Sequence, residues 1–282
     1  MLKAVLFYLE KESILNTNLS LIVSLTQNQV DAILIQDDSL ASFFEQVFLV
    51  PKHCLLITDT IVMATQANAL KMTCIGVQQS SIEGFFTGAN CVVDSINNLN
   101  YDIIVEEYNH YHNLPSTIAI TEHLIIRELT TRDMEAMIKL YANKDHVRFL
   151  PLPNSLEEEI QKQKAYITQI YNLYRFGLWG VFMKDTNTLI GRCGLQCFEL
   201  GDITEVELAY LIDEAYSHKG YGYEATSEIL RIAKERFCLD SIIARIHKDN
   251  LPSIYLAEKL GFHFEKIWNE GPDQIYRIDF NS

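Results

Sequence analysis

The clearest signal of the fold in this chain is Ser217-His218-Lys219-Gly220-Tyr221-Gly222-Tyr223-Glu224-Ala225, a glycine-bearing turn between a strand-like segment and a helix-like one. The segment before it, from Glu205 to Ile212, is rich in strand formers and alternates in part between polar and apolar residues. After the turn, apolar residues recur at helical spacing, which predicts a helix from about Gly220 to about Phe237. The first-turn N–H groups of such a helix lack internal partners, and glycines let an anion approach closely. The turn is therefore a candidate phosphate site that would accommodate a pyrophosphate.

A second strand and a short second helix follow this turn. The run from Ile242 to Ile246 reads as a strand, and Asn250-Leu251-Pro252-Ser253 reads as the start of a helix. The helix is predicted to end at Lys259-Leu260-Gly261-Phe262, with a glycine after its last turn. The predicted order is strand, glycine-rich turn, helix, strand, short helix and Gly-Phe.

This order resembles the GNAT superfamily of acyl-CoA-dependent N-acetyltransferases, from about Thr121 to the C terminus. The loop from Ser217 to Gly222 is similar to the family's Arg/Gln-x-x-Gly-x-Gly/Ala motif. Asn250-x-x-Ser253 with Glu258-Lys259-Leu260-Gly261-Phe262 is similar to its Asn-x-x-Ser and Glu-Lys-x-Gly-Phe run. Further segments look like the branch that modifies ribosomal-protein N-termini: Ile126 to Thr130 with Asp133, Leu150-Pro151, and Leu189 to Leu195.

The resemblance implies acetyl-CoA as co-substrate and direct acetyl transfer to a primary amine, on a small molecule or a peptide N-terminus. It implies that the strand ending at Ile212 splays from its neighbour, so that backbone groups there pair with the pantetheine arm and one N–H polarises the thioester carbonyl. The implied cofactor-binding residues are Leu211, Ile212, His218, Lys219, Gly220, Tyr221, Gly222, Asn250 and Ser253.

Glu207 is the predicted catalytic base. It alternates onto the same strand face as Ala209 and Leu211, from which it could take the ammonium proton through a water molecule. Glu205 lies on that face as well and is its rival, and a carboxylate at the rim of a half-exposed strand is the alternative reading.

Ser253 is the predicted proton donor to the departing thiolate. Ala257 stands where many family members carry a tyrosine general acid, so the proton must come from elsewhere, and Tyr255 is the rival donor. Asn250 and Ser253 are also ordinary helix-capping residues. Ser217 stands where the family most often has Arg or Gln, which removes one side-chain contact to phosphate.

The acceptor pocket is predicted to include Trp179, Phe149 and Leu150, although an aromatic residue beside a strand is more often part of a core. A dinucleotide site is the alternative reading of the loop, because Gly220-x-Gly222-x-x-Ala225 also fits the Rossmann pattern and Asp240 follows. That reading is disfavoured because Asp213 to Lys219 separate the strand from the glycines.

The N-terminal half predicts a parallel sheet. Short apolar runs alternate with segments of helical spacing; the runs are Ala4 to Phe7, Asp31 to Ile35, Cys54 to Ile57, Thr73 to Val77 and Cys91 to Val93. This half resembles the haloacid dehalogenase (HAD) fold with its cap deleted. Leu2 to Phe7 looks like its first strand, and Ile57-Thr58-Asp59 to Gly76-Val77 looks like its final core segment.

Phosphatase chemistry in that family needs an aspartate nucleophile and a second aspartate two residues later, beside a magnesium ion. This chain has Tyr8 and Glu10 there, so with Asp59 alone the half is predicted to be a catalytically inactive scaffold. A HAD-type phosphohydrolase in this half is one alternative function, and an acyl-CoA-binding sensor without turnover is another.

Composition sets the remaining expectations. The 282 residues are 48% hydrophobic, enough for two α/β domains: a Rossmann-like parallel sheet of HAD type in 1–114, a linker in 115–122, and a GNAT mixed sheet flanked by helices in 123–282. The net charge of −14 makes nucleic acid a poor partner. The sequence shows no Cys/His spacing suited to a metal, no secretion signal and no apolar run long enough to span a membrane. The cysteines are expected to be buried free thiols of a cytoplasmic protein. The chain is expected to be a monomer or a homodimer.

Overall fold

The computed structural model of the chain describes residues 1–9, 19–78, 86–141 and 147–280. The chain divides into two compact units, Met1–Leu114 and Pro115–Ser282, called here the first and second units. Glu10, on which part of the predicted loss of phosphatase chemistry depends, lies outside the described residues.

The first unit contains the predicted parallel sheet. Its five strands lie in the order β2-β1-β3-β4-β5, with bounds β1 Ala4–Tyr8, β2 Asp31–Leu34, β3 Cys54–Thr58, β4 Thr73–Val77 and β5 Cys91–Val93. The described helices are α1 Leu19–Gln27, α2 Leu40–Gln46, α3 Ile61–Ala69 and α4 Tyr101–Tyr111. Strands β3 and β4 are buried throughout, as expected for parallel strands covered on both faces.

The carboxyl edge of this sheet carries the residues on which the HAD likeness depends. The Tyr8 hydroxyl donates a hydrogen bond to Asp38 Oδ1. Asp59 is buried, and the cap of α3 is Thr60, whose hydroxyl accepts the Met63 N–H at 3.4 Å. Asp59 is thus a buried strand-end acid, and the likeness to the HAD fold stays a prediction.

The second unit contains an eight-stranded sheet in the order β12-β13-β11-β10-β9-β8-β7-β6. Its strands are β6 Thr117–Ile120, β7 Leu124–Arg127, β8 Leu178–Met183, β9 Leu189–Leu200, β10 Ile203–Ile212, β11 Ser241–His247, β12 His263–Ile267 and β13 Asp273–Asp279. The predicted linker 115–122 therefore contains β6, an edge strand of this sheet. Strands β10 and β11 run parallel, and the other neighbours are antiparallel.

Helices cover both faces of this sheet. They are α5 Met134–Leu140, α6 Leu156–Tyr166 with a π-helical continuation Ile167–Tyr171, α7 Tyr221–Glu235 and α8 Leu251–Lys259. Leu208 and Ile212 of β10 pack with α7 on one face, and Leu211 packs with α5 on the other. We call these the α7 face and the α5 face.

Two expectations about buried side chains need correction. Trp179 is 1% exposed and belongs to the core on the α7 face, so it does not line an acceptor pocket. The thiols of Cys197 and Cys238 are exposed, whereas the other cysteines are buried or half-buried. No helix in the described parts of the chain is long and apolar enough to cross a membrane.

Asp133 holds the start of α5 to β7. One carboxylate oxygen accepts hydrogen bonds from the Thr130 N–H at 2.7 Å and the Thr130 hydroxyl at 2.8 Å. The guanidinium of Arg127 donates to both carboxylate oxygens at 2.8 and 3.0 Å. Burial alone would raise the pKa of Asp133, but the hydrogen bonds from Arg127 and Thr130 outweigh it and hold that pKa below its ordinary value.

We expect Asp133→Asn to lower the free energy of unfolding by about 2 kcal/mol near neutral pH, because Arg127 would lose a half-buried partner. The native carboxyl has the lower pKa, so its contribution is complete above the unfolded pKa and disappears as the pH falls through the folded pKa. Urea denaturation at a series of pH values measures this. Equal stability of the two proteins near neutral pH, or a difference that does not shrink in acid, would contradict it.

Candidate active site

The glycine-rich loop joins β10 to the N terminus of α7. Gly220 precedes the 15-residue helix with φ of +91°, a left-handed conformation that favours glycine. A Cβ built on Gly220 meets nothing within 4 Å. A Cβ on Gly222 would meet the side chains of Leu256 and Ile212 at ordinary contact distances of 3.6 and 3.7 Å. The positive end of α7 thus faces open space, as a pyrophosphate-binding loop requires.

Hydrogen bonds within the loop fix its backbone. Asp213 Oδ1 accepts the Ala215 N–H at 3.0 Å, and the Ser217 hydroxyl donates back to the Asp213 carbonyl at 3.4 Å. The Lys219 ammonium donates to the Ala215 carbonyl at 2.8 Å and so lies along the preceding turn. The conformation of the loop therefore rests on Asp213 and Ser217, and its glycines leave backbone N–H groups accessible at the start of α7.

Glu224 is the acidic residue in the first turn of α7, and its carboxylate is held against the β6–β7 turn. It accepts the Thr121 hydroxyl at 2.5 Å and the His123 N–H at 2.8 Å, and lies 3.0 Å from His123 Nδ1. Burial would raise the pKa of Glu224, but these hydrogen bonds lower it below its ordinary value. The carboxylate of Glu224, the acidic side chain closest in sequence to the glycine-rich loop, is thus ionised and hydrogen-bonded to the β6–β7 turn.

Strands β10 and β11 diverge beside this loop. Glu207 and Ile243 are the one pair of residues in register between them within the described chain. In contrast, β10 stays paired with β9 as far as Ile212, opposite Gly191. The last residues of β10 therefore border a cleft that opens towards β11, as the family resemblance implies.

Tyr210 directs its backbone polar groups to this cleft. The Asp213 N–H donates to the Ile190 carbonyl on β9 at 2.7 Å. Because antiparallel pairs alternate between bonded and non-bonded, Leu211 also bonds towards β9, whereas Tyr210 and Ile212 face β11. The cleft therefore receives the backbone of Ile212, which the sequence predicted, and of Tyr210, which it missed; the backbone of Leu211 faces away.

Ser253 lies near Tyr210 on the α7 face, close enough for its hydroxyl to act on the pKa of the Tyr210 phenol. Burial raises the pKa of Tyr210 to about 12, against the opposite effect of Ser253, so the phenol is protonated at neutral pH. The rival donor Tyr255 is 69% exposed. Asn250 occupies the N-cap position of α8 without a side-chain capping bond.

Glu207 lies on the α5 face and is 3% exposed. Gln196 Nε2 donates to its Oε2 at 2.7 Å, and Arg245 Nε lies 3.6 Å from its Oε1. The rival Glu205 lies farther from the cleft and is held by Arg277, whose guanidinium reaches its two oxygens at 2.8 and 3.3 Å. Glu207 thus has the looser ion pair and the position nearer to the cleft.

A pocket of about 610 Å³, the cleft of Phe149 and His247, contains two of the residues predicted to contact the acceptor. It is lined by Arg148, Phe149, Leu150, His247 and Asp249. The His247 ring stacks on Phe149 with centroids 4.4 Å apart, and its Nδ1 accepts the Asp249 N–H at 3.1 Å. A neutral His247 therefore carries its proton on Nε2 and can donate a hydrogen bond. His247 was not among the site residues predicted from the sequence. The two-residue period of β11 places His247 on the same strand face as Arg245 and could have pointed to it.

The model of the acetyltransferase (GNAT) domain family matches residues 123–263, half of the chain. The chain is 28% identical over 149 residues to the uncharacterised N-acetyltransferase YoaA of Bacillus subtilis (strain 168), covering 52% of this chain and 83% of YoaA. It is 27% identical over 165 residues to YnaD of the same organism, covering 55% of this chain and 92% of YnaD.

Among solved structures, the ribosomal-protein-S5-alanine acetyltransferase of Vibrio fischeri shares the fold. The TM-score is 0.50 at 16% identity, covering 58% of this chain and 97% of that chain. The loop, the diverging strands and these matches define an acyltransferase. The chain belongs to the GNAT acetyltransferase family, and acetyl-CoA is its co-substrate.

Proposed function

We propose that the second unit transfers an acetyl group directly from acetyl-CoA to a primary amine, without an acetylated enzyme residue. The main support for this proposal is that the pairing of β10 with β11 ends after Glu207. The Tyr210 backbone therefore faces the cleft between these strands, beside the N terminus of α7. A pyrophosphate at α7 and a thioester at Tyr210 are the two ends that one extended acetyl-CoA molecule has to reach. The dinucleotide reading offers no role for the diverging strands.

Each end of the cleft has its own binding residues. The backbone of His218, Lys219, Gly220, Tyr221 and Gly222 holds the pyrophosphate at the positive end of α7. The Ile212 backbone and the Asn250 side chain hold the amides of the pantetheine arm. The Tyr210 N–H donates to the thioester oxygen, where negative charge develops as the amine attacks.

Glu207 takes the proton that the acceptor ammonium must lose before its nitrogen can attack. The carboxylate is buried, so the proton reaches it through a water molecule on the α5 face. The nitrogen then forms its bond to the acetyl carbon as the carbon–sulfur bond breaks. As this bond forms, the nitrogen gives up its second proton to water. Ser253 donates its hydroxyl proton to the departing sulfur and regains a proton from water.

We expect Ser253→Ala to lower kcat by about tenfold to a hundredfold with acetyl-CoA affinity nearly unchanged, because the lost contact belongs to the transition state. Tyr255→Phe, which alters a largely exposed ring on the same helix, is the matched control and should keep wild-type kcat. Steady-state thiol release and calorimetry measure the two quantities. A large loss of kcat in Tyr255→Phe with Ser253→Ala near wild type would reverse the assignment.

The primary amine that accepts the acetyl group belongs either to a small molecule or to a peptide N-terminus. The name of the Vibrio fischeri relative supports a ribosomal-protein N-terminus as one candidate. Acetyl-CoA-dependent thiol release over a panel of polyamines, amino acids and N-terminal peptides tests the function. Acetyl-CoA binding without thiol release from any acceptor would favour a sensor over an enzyme.

For the first unit we propose an inactive scaffold of HAD type. Its support is the parallel sheet with β1 between β2 and β3, together with Tyr8 at the end of β1 in place of the nucleophilic aspartate. The full chain is expected to show no magnesium-dependent hydrolysis of an aryl phosphate. Hydrolysis that Asp59→Asn abolishes would instead show that the phosphatase function is retained.

A further inference from the structure

A second cavity of the second unit, of about 260 Å³, lies between α5, α6 and β9. About half of its lining is apolar, from Leu129, Met134, Met137, Ile138, Pro151, Leu152 and Pro153, and Tyr141, Gln163 and Tyr166 add uncharged polar groups. The charged residues in its wall are Glu159, Lys162 and Arg192. We call it the Arg192 cavity; it lies apart from the cleft of Phe149 and His247, although Leu150 and Pro151 connect their walls along the chain.

Arg192 is half-buried in this wall, and its guanidinium has no hydrogen bond or ion pair with any residue that the structure describes. The carboxylate in the same wall, Glu159, interacts with Arg192 electrostatically but makes no ion pair with it. Its Oε1 accepts the Lys162 ammonium at 2.8 Å and the Asn154 N–H at 3.0 Å. A half-buried guanidinium without a hydrogen-bonded anion is left with unsatisfied donors. Its five donors in a planar fork suit a carboxylate.

The position of Arg192 links this cavity to the reaction. Arg192 is the cross-strand partner of Leu211, whose neighbour Tyr210 presents its backbone to the cleft. Directly opposed residues of an antiparallel pair lie about 5 Å apart and project from the same face. Arg192 therefore projects from the α5 face, which is also the face of Glu207. An acceptor whose amine reaches the thioester from this face can place a second group in the Arg192 cavity.

We propose that the Arg192 cavity binds the carboxylate of the acceptor, so that the acceptor is an amine that also carries a carboxylate and an apolar group. This rests on the proposed acetyl transfer and names its substrate class. The guanidinium of Arg192 pairs with the carboxylate, and the apolar body lies against Met134, Met137 and Leu152. Two sources share this chemistry: a free amino acid with an apolar side chain, and a peptide whose first residue is acidic and whose second residue is apolar.

A binding experiment tests the cavity without requiring turnover. N-acetylleucine and its amide are titrated into the full chain saturated with coenzyme A, and calorimetry compares wild type with Arg192→Gln and Arg192→Lys. We expect Arg192→Gln to weaken N-acetylleucine binding by about tenfold to a hundredfold, with Arg192→Lys intermediate because it keeps the charge and loses the fork. Lys234→Gln, which removes a charge from the exposed side of α7, should leave binding unchanged.

Turnover then separates the sources. Leucine is compared with leucinamide, and a peptide that begins with Asp-Leu is compared with one that begins with Asn-Leu. Preference for leucine identifies the free amino acid, and preference for the Asp peptide identifies the peptide source; Arg192→Gln should abolish either preference. If wild type binds N-acetylleucine and its amide equally, or Arg192→Gln weakens both alike, the proposal is wrong, whereas selective binding without turnover would contradict only the proposed acetyl transfer.

Discussion

Replacement of Gly220 by valine is expected to weaken acetyl-CoA binding by about a hundredfold or more. The backbone at Gly220 has φ of +91°, which a branched residue adopts only with strain. The Cβ of any replacement projects into the open space before α7, where the pyrophosphate is proposed to lie. Isothermal calorimetry with acetyl-CoA measures the loss, and Gly220→Ala should give a smaller one.

The control for backbone strain is Gly201 in the turn between β9 and β10. It also has a positive φ, of +72°, and a Cβ built on it also meets nothing within 4 Å. Gly201→Val should therefore cost comparable stability while leaving acetyl-CoA affinity at the wild-type value. If both variants fold and bind acetyl-CoA with equal affinity, the pyrophosphate is not at this loop.

Replacement of Glu207 by glutamine is expected to lower kcat by about a hundredfold to a thousandfold, because the amide cannot accept the ammonium proton. The substitution keeps the shape of the side chain and an oxygen for the bond from Gln196. Acetyl-CoA affinity should change little, since the carboxylate lies on the α5 face. The fall of kcat/KM towards low pH that comes from protonation of the catalytic base should disappear in this variant.

Glu205→Gln is the matched control for Glu207→Gln. It neutralises a carboxylate two residues away on the same strand face, one that is paired with Arg277. It should lower stability through that ion pair and leave the pH profile unchanged. If the pH dependence of kcat/KM changes in Glu205→Gln and stays as in wild type in Glu207→Gln, the catalytic base is Glu205 and not Glu207.

The parts of the fold that follow from local pattern could be predicted from the sequence. Alternation predicted β10, helical spacing predicted α7, and two glycines located the turn between them. The strands of the first unit were predicted from their apolar runs. The segment 115–122 was not, because β6 is short, lies at the sheet edge and has a single paired neighbour in β7.

The parts of the site that depend on register could not be predicted in this way. Tyr210 faces the cleft because the β10–β11 ladder ends after Glu207, and Arg192 lies opposite Leu211 because of the β9–β10 register. Trp179 was assigned to the acceptor pocket because sequence does not say which face of β8 the helix α7 covers. A strand pattern places side chains on two faces, and tertiary packing decides which face carries the chemistry.

Direct acetyl transfer is tested most directly by mass spectrometry of the products formed from acetyl-CoA labelled with carbon-13 in its acetyl group. The wild-type chain is incubated with the label and the best acceptor of the panel. We expect one labelled N-acetyl amine for each coenzyme A released, no labelled protein, and loss of product in Gly220→Val. Coenzyme A released without labelled amine, or label retained on the protein as an intermediate, would contradict it.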